Sequence, residues 1–241
     1  MNIFQILKFA GLTATFILMK SELLRRIYSN ETSIVFHYDL SDDINVPEPS
    51  IPINLRPLVR EDDIFDLLVR HSGIADNMEL KTRIECLLFL GAGIPTCFGG
   101  FTENGKLVVI NCLITPAMND RLRDYFKDGV NLLAADEVLC EFVFTHRDYR
   151  GLRLHQWSTL ELFKKAKESG AVKALAYINI KNEKSLCVNS RFGWKPFLVK
   201  KVIRRMFRRK ITFIPYHEGD MTEIHSSLSR NPHAGPACGC R

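Results

Sequence analysis

No apolar run in this chain is long enough to cross a membrane. After Lys8 the sequence stays apolar for 11 residues, to Met19, where a spanning helix needs roughly 20. Read as a secretory signal, the start is only weakly basic and lacks a small-x-small cleavage pattern near Met19. There is no nucleotide-binding P-loop and no basic sheet motif with interleaved aromatics, so no nucleic-acid partner is expected. No internal repeat is present, which excludes a solenoid. The 7 cysteines are odd in number and sit mostly inside apolar runs, as at Cys112 and Cys140. They read as reduced core thiols rather than a disulfide framework, and this points to the cytoplasm. Cys238, Cys240 and His233 fall short of a metal-ligand pattern, and no metal is expected.

What is present suits a globular protein. At 241 residues with 46% hydrophobic and 25% charged residues, the chain can bury one good core. The net charge of +6 is modest but unevenly spread. Lys200, Lys201, Arg204, Arg205, Arg208, Arg209 and Lys210 crowd one short stretch. That block suits a polyanionic partner (a phosphate-rich cofactor, an acidic carrier protein, an anionic membrane surface or RNA) or is a solvated basic strand or turn. On a helical projection Gln5, Lys8, Thr15, Glu22 and Arg26 share one side of the first segment. This predicts an amphipathic helix, lying in a membrane interface or packed on the protein's own body or a dimer partner, with a true span as the third reading.

Periodicity and punctuation give the order of elements. A strand over 33–40 precedes a three-proline linker at 44–52, which excludes helix and central strand there. A short strand at 53–59 is followed by helices at 61–70 and 78–90. Asn104-Gly105 between two strand-like runs marks a hairpin. Then come a polar helix over 118–127, a strand over 137–145, a helix over 150–168 and a strand over 172–180. A short helix over 183–192 and strands at 195–202 and 210–216 complete the pattern. The expected organisation is an N-terminal helix, strand and linker over 1–52, an α/β domain with a mixed sheet over 53–216, and a loose tail over 217–241. Trp157 and Phe163 read as core.

Two stretches carry candidate chemistry. The strand ending at Thr145 leads through a short turn into a helix at Arg150-Gly151. The first N–H groups of such a helix have no partners within it and favour an anion, to which Arg150 adds a charge. Further on, Asn182 stands at a strand end, followed by Ser185 and by Phe192-Gly193-Trp194. An amide there can bind extended peptide-like backbone, or can cap the next helix.

Taken together, Tyr149-Arg150-Gly151, Asn182, Ser185 and Gly193-Trp194 resemble the GNAT acyltransferase superfamily, and the resemblance covers residues 53 to about 216. It implies a mixed, mostly antiparallel central sheet flanked by helices, here with an added N-terminal helix. It also implies an N-acyltransferase that moves an acyl group from a thioester, an acyl-CoA or an acylated carrier protein, to an amine near a membrane. A catalytically inactive binding module of the same shape is the alternative. The family's pyrophosphate loop maps onto Arg150, Gly151, Leu152, Arg153, Leu154 and His155. Arg153 and His155 stand where the family has small residues. The family's carbonyl-polarising N–H maps to around Phe144, Thr145 and His146. Glu141 is the candidate general base, with Glu137 on the same strand face. Where the family often has a tyrosine acid this chain has Asn189, leaving Cys187 and His155 as candidates to protonate the thiolate.

Overall fold

A computed structural model describes residues 20, 23–59, 62, 64, 67, 83, 86, 89, 97–127 and 129–217. The expected amphipathic helix before Lys20 and the tail from residue 218, with His233, Cys238 and Cys240, lie outside the described residues. So do most positions of the helices expected at 61–70 and 78–90, although Arg83, Cys86 and Phe89 are helical and buried. Among the described residues, no helix is long and apolar enough to cross a membrane.

The fold is mixed α/β; the elements that can be bounded among the described residues are eight strands, paired mainly antiparallel, and three α-helices. The strands are β1 (Tyr28–Asp39), β2 (Ile53–Pro57), β3 (Cys97–Thr102), β4 (Leu107–Ile114), β5 (Glu137–Thr145), β6 (Lys173–Asn179), β7 (Lys195–Arg205) and β8 (Arg208–Pro215). The helices are α1 (Asn119–Phe126), α2 (Leu154–Glu168) and α3 (Glu183–Arg191). The chain forms two compact units, one of Met1–Leu23 with Leu40–Ala174, the other of Leu24–Asp39 with Leu175–Arg241.

In the first unit the strand order is β2-β3-β4-β5. β4 is buried along its whole length, as its apolar sequence requires. The Asn104-Gly105 signal is realised: Gly105 adopts φ 74° and donates to Thr102 O at 2.8 Å, closing the turn between β3 and β4. Trp157, Leu160, Leu162 and Phe163 of α2 are buried. Gly100 makes room for the neighbouring strands' side chains, because a Cβ there would lie 2.5 Å from Val109 Cγ1 and 3.1 Å from Ile53 Cγ2.

In the second unit the order is β6-β1-β7-β8. β1 pairs with β7 from Tyr28↔Arg205 to His37↔Lys195. β1 thus pairs within the unit of the C-terminal strands; strand partners are set by long-range ladders that local pattern does not encode. Two readings of the sequence are corrected. α2 begins at Leu154, not Arg150, since residues 147–149 form a 3₁₀ turn and Arg150–Arg153 a loop. Cys97 and Cys112 are joined in a disulfide across the β3–β4 pair, where they face each other in register. The expectation of seven reduced thiols fails at these two, and the inference to the cytoplasm loses that support. Cys86, Cys140 and Cys187 are outside any disulfide.

Candidate functional site

The first unit gathers most of the candidate residues at the end of β5 and the start of α2. β5 does not run straight. Ile110 pairs with Phe144 and Cys112 with Glu141, so Asn111 alone opposes both Phe142 and Val143. This is a β-bulge, with Phe142 at φ 55°. A bulky side chain is strained there. Stacking on buried Phe89, centroids 4.3 Å apart, helps hold it.

The backbone donors after the bulge differ in availability. His146 N–H donates to Val108 O at 2.8 Å. Hydrogen-bonded and non-hydrogen-bonded pairs alternate along an antiparallel ladder. Phe144, two residues back and opposite Ile110, therefore also faces β4 with its N–H. Of the three expected donors, Thr145 is the one whose N–H is directed away from β4. Thr145 O accepts from Arg150 Nε at 3.2 Å, which folds the arginine back onto the strand end. Phe144 lies between two guanidinium groups, with Arg83 at 5.4 Å and Arg150 at 5.9 Å from its ring centroid.

The loop into α2 carries two left-handed residues, Gly151 at φ 83° and Arg153 at φ 59°. A Cβ on Gly151 would meet nothing within 4 Å, so the glycine serves backbone conformation and close approach, not packing. Arg153 is the N-cap and makes no side-chain cap bond; the first intrahelical bond runs from Trp157 N to Arg153 O at 2.9 Å. The N–H groups of Leu154, His155 and Gln156 thus form the donor end of the helix, with no acid in the first turn. Leu154 is buried against Val108 and Val109, with Leu152 and Tyr149 packed beside them. The two apolar residues of the loop are anchors, and the polar backbone between them is presented outward. Arg153 thus keeps a backbone shape that a glycine would take without strain. The loop's residues fit a diphosphate through backbone N–H groups, with Arg150 and Arg153 supplying charge nearby.

His155 is half-buried, and desolvation pushes its imidazole down to about 4. The same burial favours the neutral imidazole, which counts against the expected role as an acid. Its carbonyl accepts from Ser158 Oγ at 3.0 Å. Ser158 and Thr159 in turn meet Asn111 Nδ2 at 3.4 and 2.9 Å, and Cys140 Sγ donates to Asn111 Oδ1 at 3.4 Å. This buried network ties the residue opposite the bulge to the first turns of α2. Sequence reading missed it, although an asparagine in an otherwise apolar strand was the available signal.

The two glutamates part company. Glu137 Oε2 accepts from Ala134 N–H at 3.1 Å and Oε1 pairs with Lys173 at 3.2 Å, so it tethers the start of the strand. Glu141 is half-buried one residue before the bulge.

In the second unit Asn182 caps α3, its Oδ1 accepting from Ser185 N–H at 3.2 Å. Ser185 O accepts from Asn189 Nδ2 at 2.8 Å. The Asn182 and Asn189 side chains are thus both tied to the backbone of Ser185. Gly193, at φ 82°, turns the chain toward buried Trp194, which meets Tyr38 edge-on at 5.8 Å.

No protein-family model and no curated protein matches this sequence. Solved structures do match. The glucosamine N-acetyltransferase region of a fungal multi-domain β-N-acetylglucosaminidase is 13% identical, with a TM-score of 0.52 over 77% of this chain and 22% of that one. A tandem GNAT protein from the clavulanic acid biosynthesis pathway is 16% identical, with a TM-score of 0.47 over 84% of this chain and 57% of that one. A GCN5-related N-acetyltransferase from Sphaerobacter thermophilus is 14% identical, with a TM-score of 0.45 over 84% and 57%. This chain thus spans less than two thirds of the length of each. The mixed α/β arrangement, a mostly antiparallel sheet with helices, is that of the GNAT fold, and that is the fold of this chain.

Proposed function

We propose that this protein is an N-acyltransferase that takes an acyl group from a coenzyme A thioester and passes it to an amine. The observation that carries the reading is the loop at 150–155. It keeps a left-handed backbone at both Gly151 and Arg153 and ends in uncapped helix N–H groups, although its sequence departs from the usual small residues. A diphosphate is the anion this cradle suits, since backbone donors serve it whatever the side chains.

Bound coenzyme A would supply an activated thioester; the chain supplies the rest. Leu154 to Gln156 and Arg150 hold the diphosphate. Thr145 N–H, directed away from β4, polarises the thioester carbonyl. Glu141 accepts the proton of the incoming amine, directly or through water. Asn182 and Ser185, engaged within α3, contribute structure there, and solvent protonates the departing thiolate.

Titration of acetyl-CoA into the full chain tests the cradle. Wild type is expected to bind. Gly151→Val, which puts a β-branched residue at φ 83°, is expected to bind at least about tenfold more weakly. A folded wild type that does not bind removes coenzyme A as donor, and transfer from an acylated carrier protein becomes the reading to assay. In a transfer assay across amine acceptors, Glu141→Gln is expected to lower kcat by about 10²- to 10⁴-fold with donor affinity unchanged. A binding module of the same shape is favoured by one feature, Asn189 at the position of the family's acid, buried and hydrogen-bonded within its helix. Donor binding with no transfer to any amine would establish that second reading.

A further inference from the structure

The basic block beginning at Lys200 folds as the β7–β8 hairpin, and its tip breaks three local rules at once. The turn is two residues long, Met206-Phe207, with φ 47° and 66°. Such a turn favours Asn-Gly, and two bulky side chains there are strained. Both side chains stand in solvent, Met206 73% and Phe207 66% exposed. Behind them, arginine directly opposes arginine on both faces of the ribbon, at Arg205↔Arg208 and Arg204↔Arg209. Like charges facing each other across strands repel. No contribution to folding explains keeping all three, and rules broken together in one place point to function.

The neighbouring chain enlarges the feature. Met206 N–H donates to Ile27 O at 2.8 Å and Phe207 N–H to Arg26 O at 3.0 Å, so the tip is fastened beside residues 26–27. Tyr28, 63% exposed, pairs with Arg205 at the start of β1, and Leu24 and Ile27 are exposed as well. The base is braced from within. Glu31 pairs with Arg204 at 2.9 Å and with Arg25 at 3.4 Å. An apolar cap of Leu24, Ile27, Tyr28, Met206 and Phe207 thus sits on a collar of arginines.

We propose that this hairpin tip docks the protein on an anionic membrane surface, with Met206 and Phe207 entering the headgroup–acyl boundary and Arg205 and Arg208 meeting lipid phosphates. Apolar burial and charge attraction act together at such an interface. A nucleic acid would use the arginines and stack on an aromatic ring, but it has no use for exposed Met206, Ile27 and Leu24. The inference stands on the hairpin alone and does not depend on the acyl-transfer reading.

The test is co-sedimentation of the full chain with vesicles of phosphatidylcholine, with and without about one-third phosphatidylglycerol. Wild type is expected on the anionic vesicles, and less so as salt rises. The double variant Met206→Asn with Phe207→Gly keeps every arginine and installs the turn's preferred residues, so it folds; its partition is expected to fall at least roughly tenfold. Independently, the Phe207→Trp variant is expected to show blue-shifted emission on the anionic vesicles. Partition of the double variant equal to wild type, or an unshifted emission, overturns the proposal. So does a chain that ignores vesicles but binds polyuridylate, which would assign the strip to nucleic acid.

Discussion

Arg153 shows how one residue can hold a backbone shape against its own preference. A side chain with a Cβ at φ 59° costs about 1 kcal/mol or more in backbone strain. Arg153→Gly is therefore expected to raise the urea midpoint, whereas Arg153→Ala, which keeps the Cβ, leaves the strain in place. His155, two residues on, makes a pH-dependent contribution of opposite sense. Its folded pKa of about 4 lies below the ordinary 6.5. Between those values the unfolded chain binds a proton that the folded chain refuses, so stability falls as pH drops through that window and is unaffected above it. His155→Gln should flatten this slope, as read by urea unfolding at about pH 7 and about pH 5. An equal loss in both proteins would mean that the imidazole is solvated. Glu31 acts lower on the scale. Burial pushes its carboxyl up, but Arg204 and Arg25 outweigh it and hold the pKa below the usual value, so its stabilisation is lost only as pH falls further into the acid range.

At the scale of elements, the β3–β4 hairpin is held by more than its turn. The Cys97–Cys112 bridge, with a sequence separation of 15, restricts the unfolded chain by about 3 kcal/mol in the loop-entropy account. Reductant is expected to lower the urea midpoint of wild type and to leave the Cys97→Ser, Cys112→Ser double variant unchanged. Peptide mapping of the unreduced protein should recover the two cysteines cross-linked. Burial pushes the thiols of Cys86 and Cys140 up to about 12, and they should resist alkylation until the chain unfolds. Element type was legible where local signals agreed. The Asn-Gly turn marked one hairpin, and apolar periodicity located α2 with Trp157 and Phe163 in the core. The second hairpin escaped because its turn is Met206-Phe207, chemistry that ordinarily argues for a continuous strand. The bulge in β5 escaped for a related reason: its left-handed residue is Phe142, not glycine, and packing on Phe89 is what stabilises it.

For the whole molecule, ligand linkage gives the broadest check on function. A donor that binds only the folded chain stabilises it by about 2.7 kcal/mol at a hundredfold excess over its Kd. Acetyl-CoA should then raise the thermal midpoint of wild type but raise that of Gly151→Val much less. The order of the described elements, the hairpin at Asn104-Gly105 and the turn that leads from the strand into a helix around Arg150-Gly151 were determined by the sequence itself. They rest on local physics: hydrophobic period, turn chemistry and the unpaired N–H groups that open any helix. Only the tertiary structure decided that β1 pairs with β7, that Cys97 meets Cys112, that Asn182 caps α3, and that Phe142, Arg153, Met206 and Phe207 take left-handed backbones. The first two depend on which distant segments meet. Asn182 had two local uses open to it, and in the folded chain its Oδ1 caps the helix. In the last case ladder and packing energies override the preference of the single residue, which no reading of that residue's neighbours in sequence reveals.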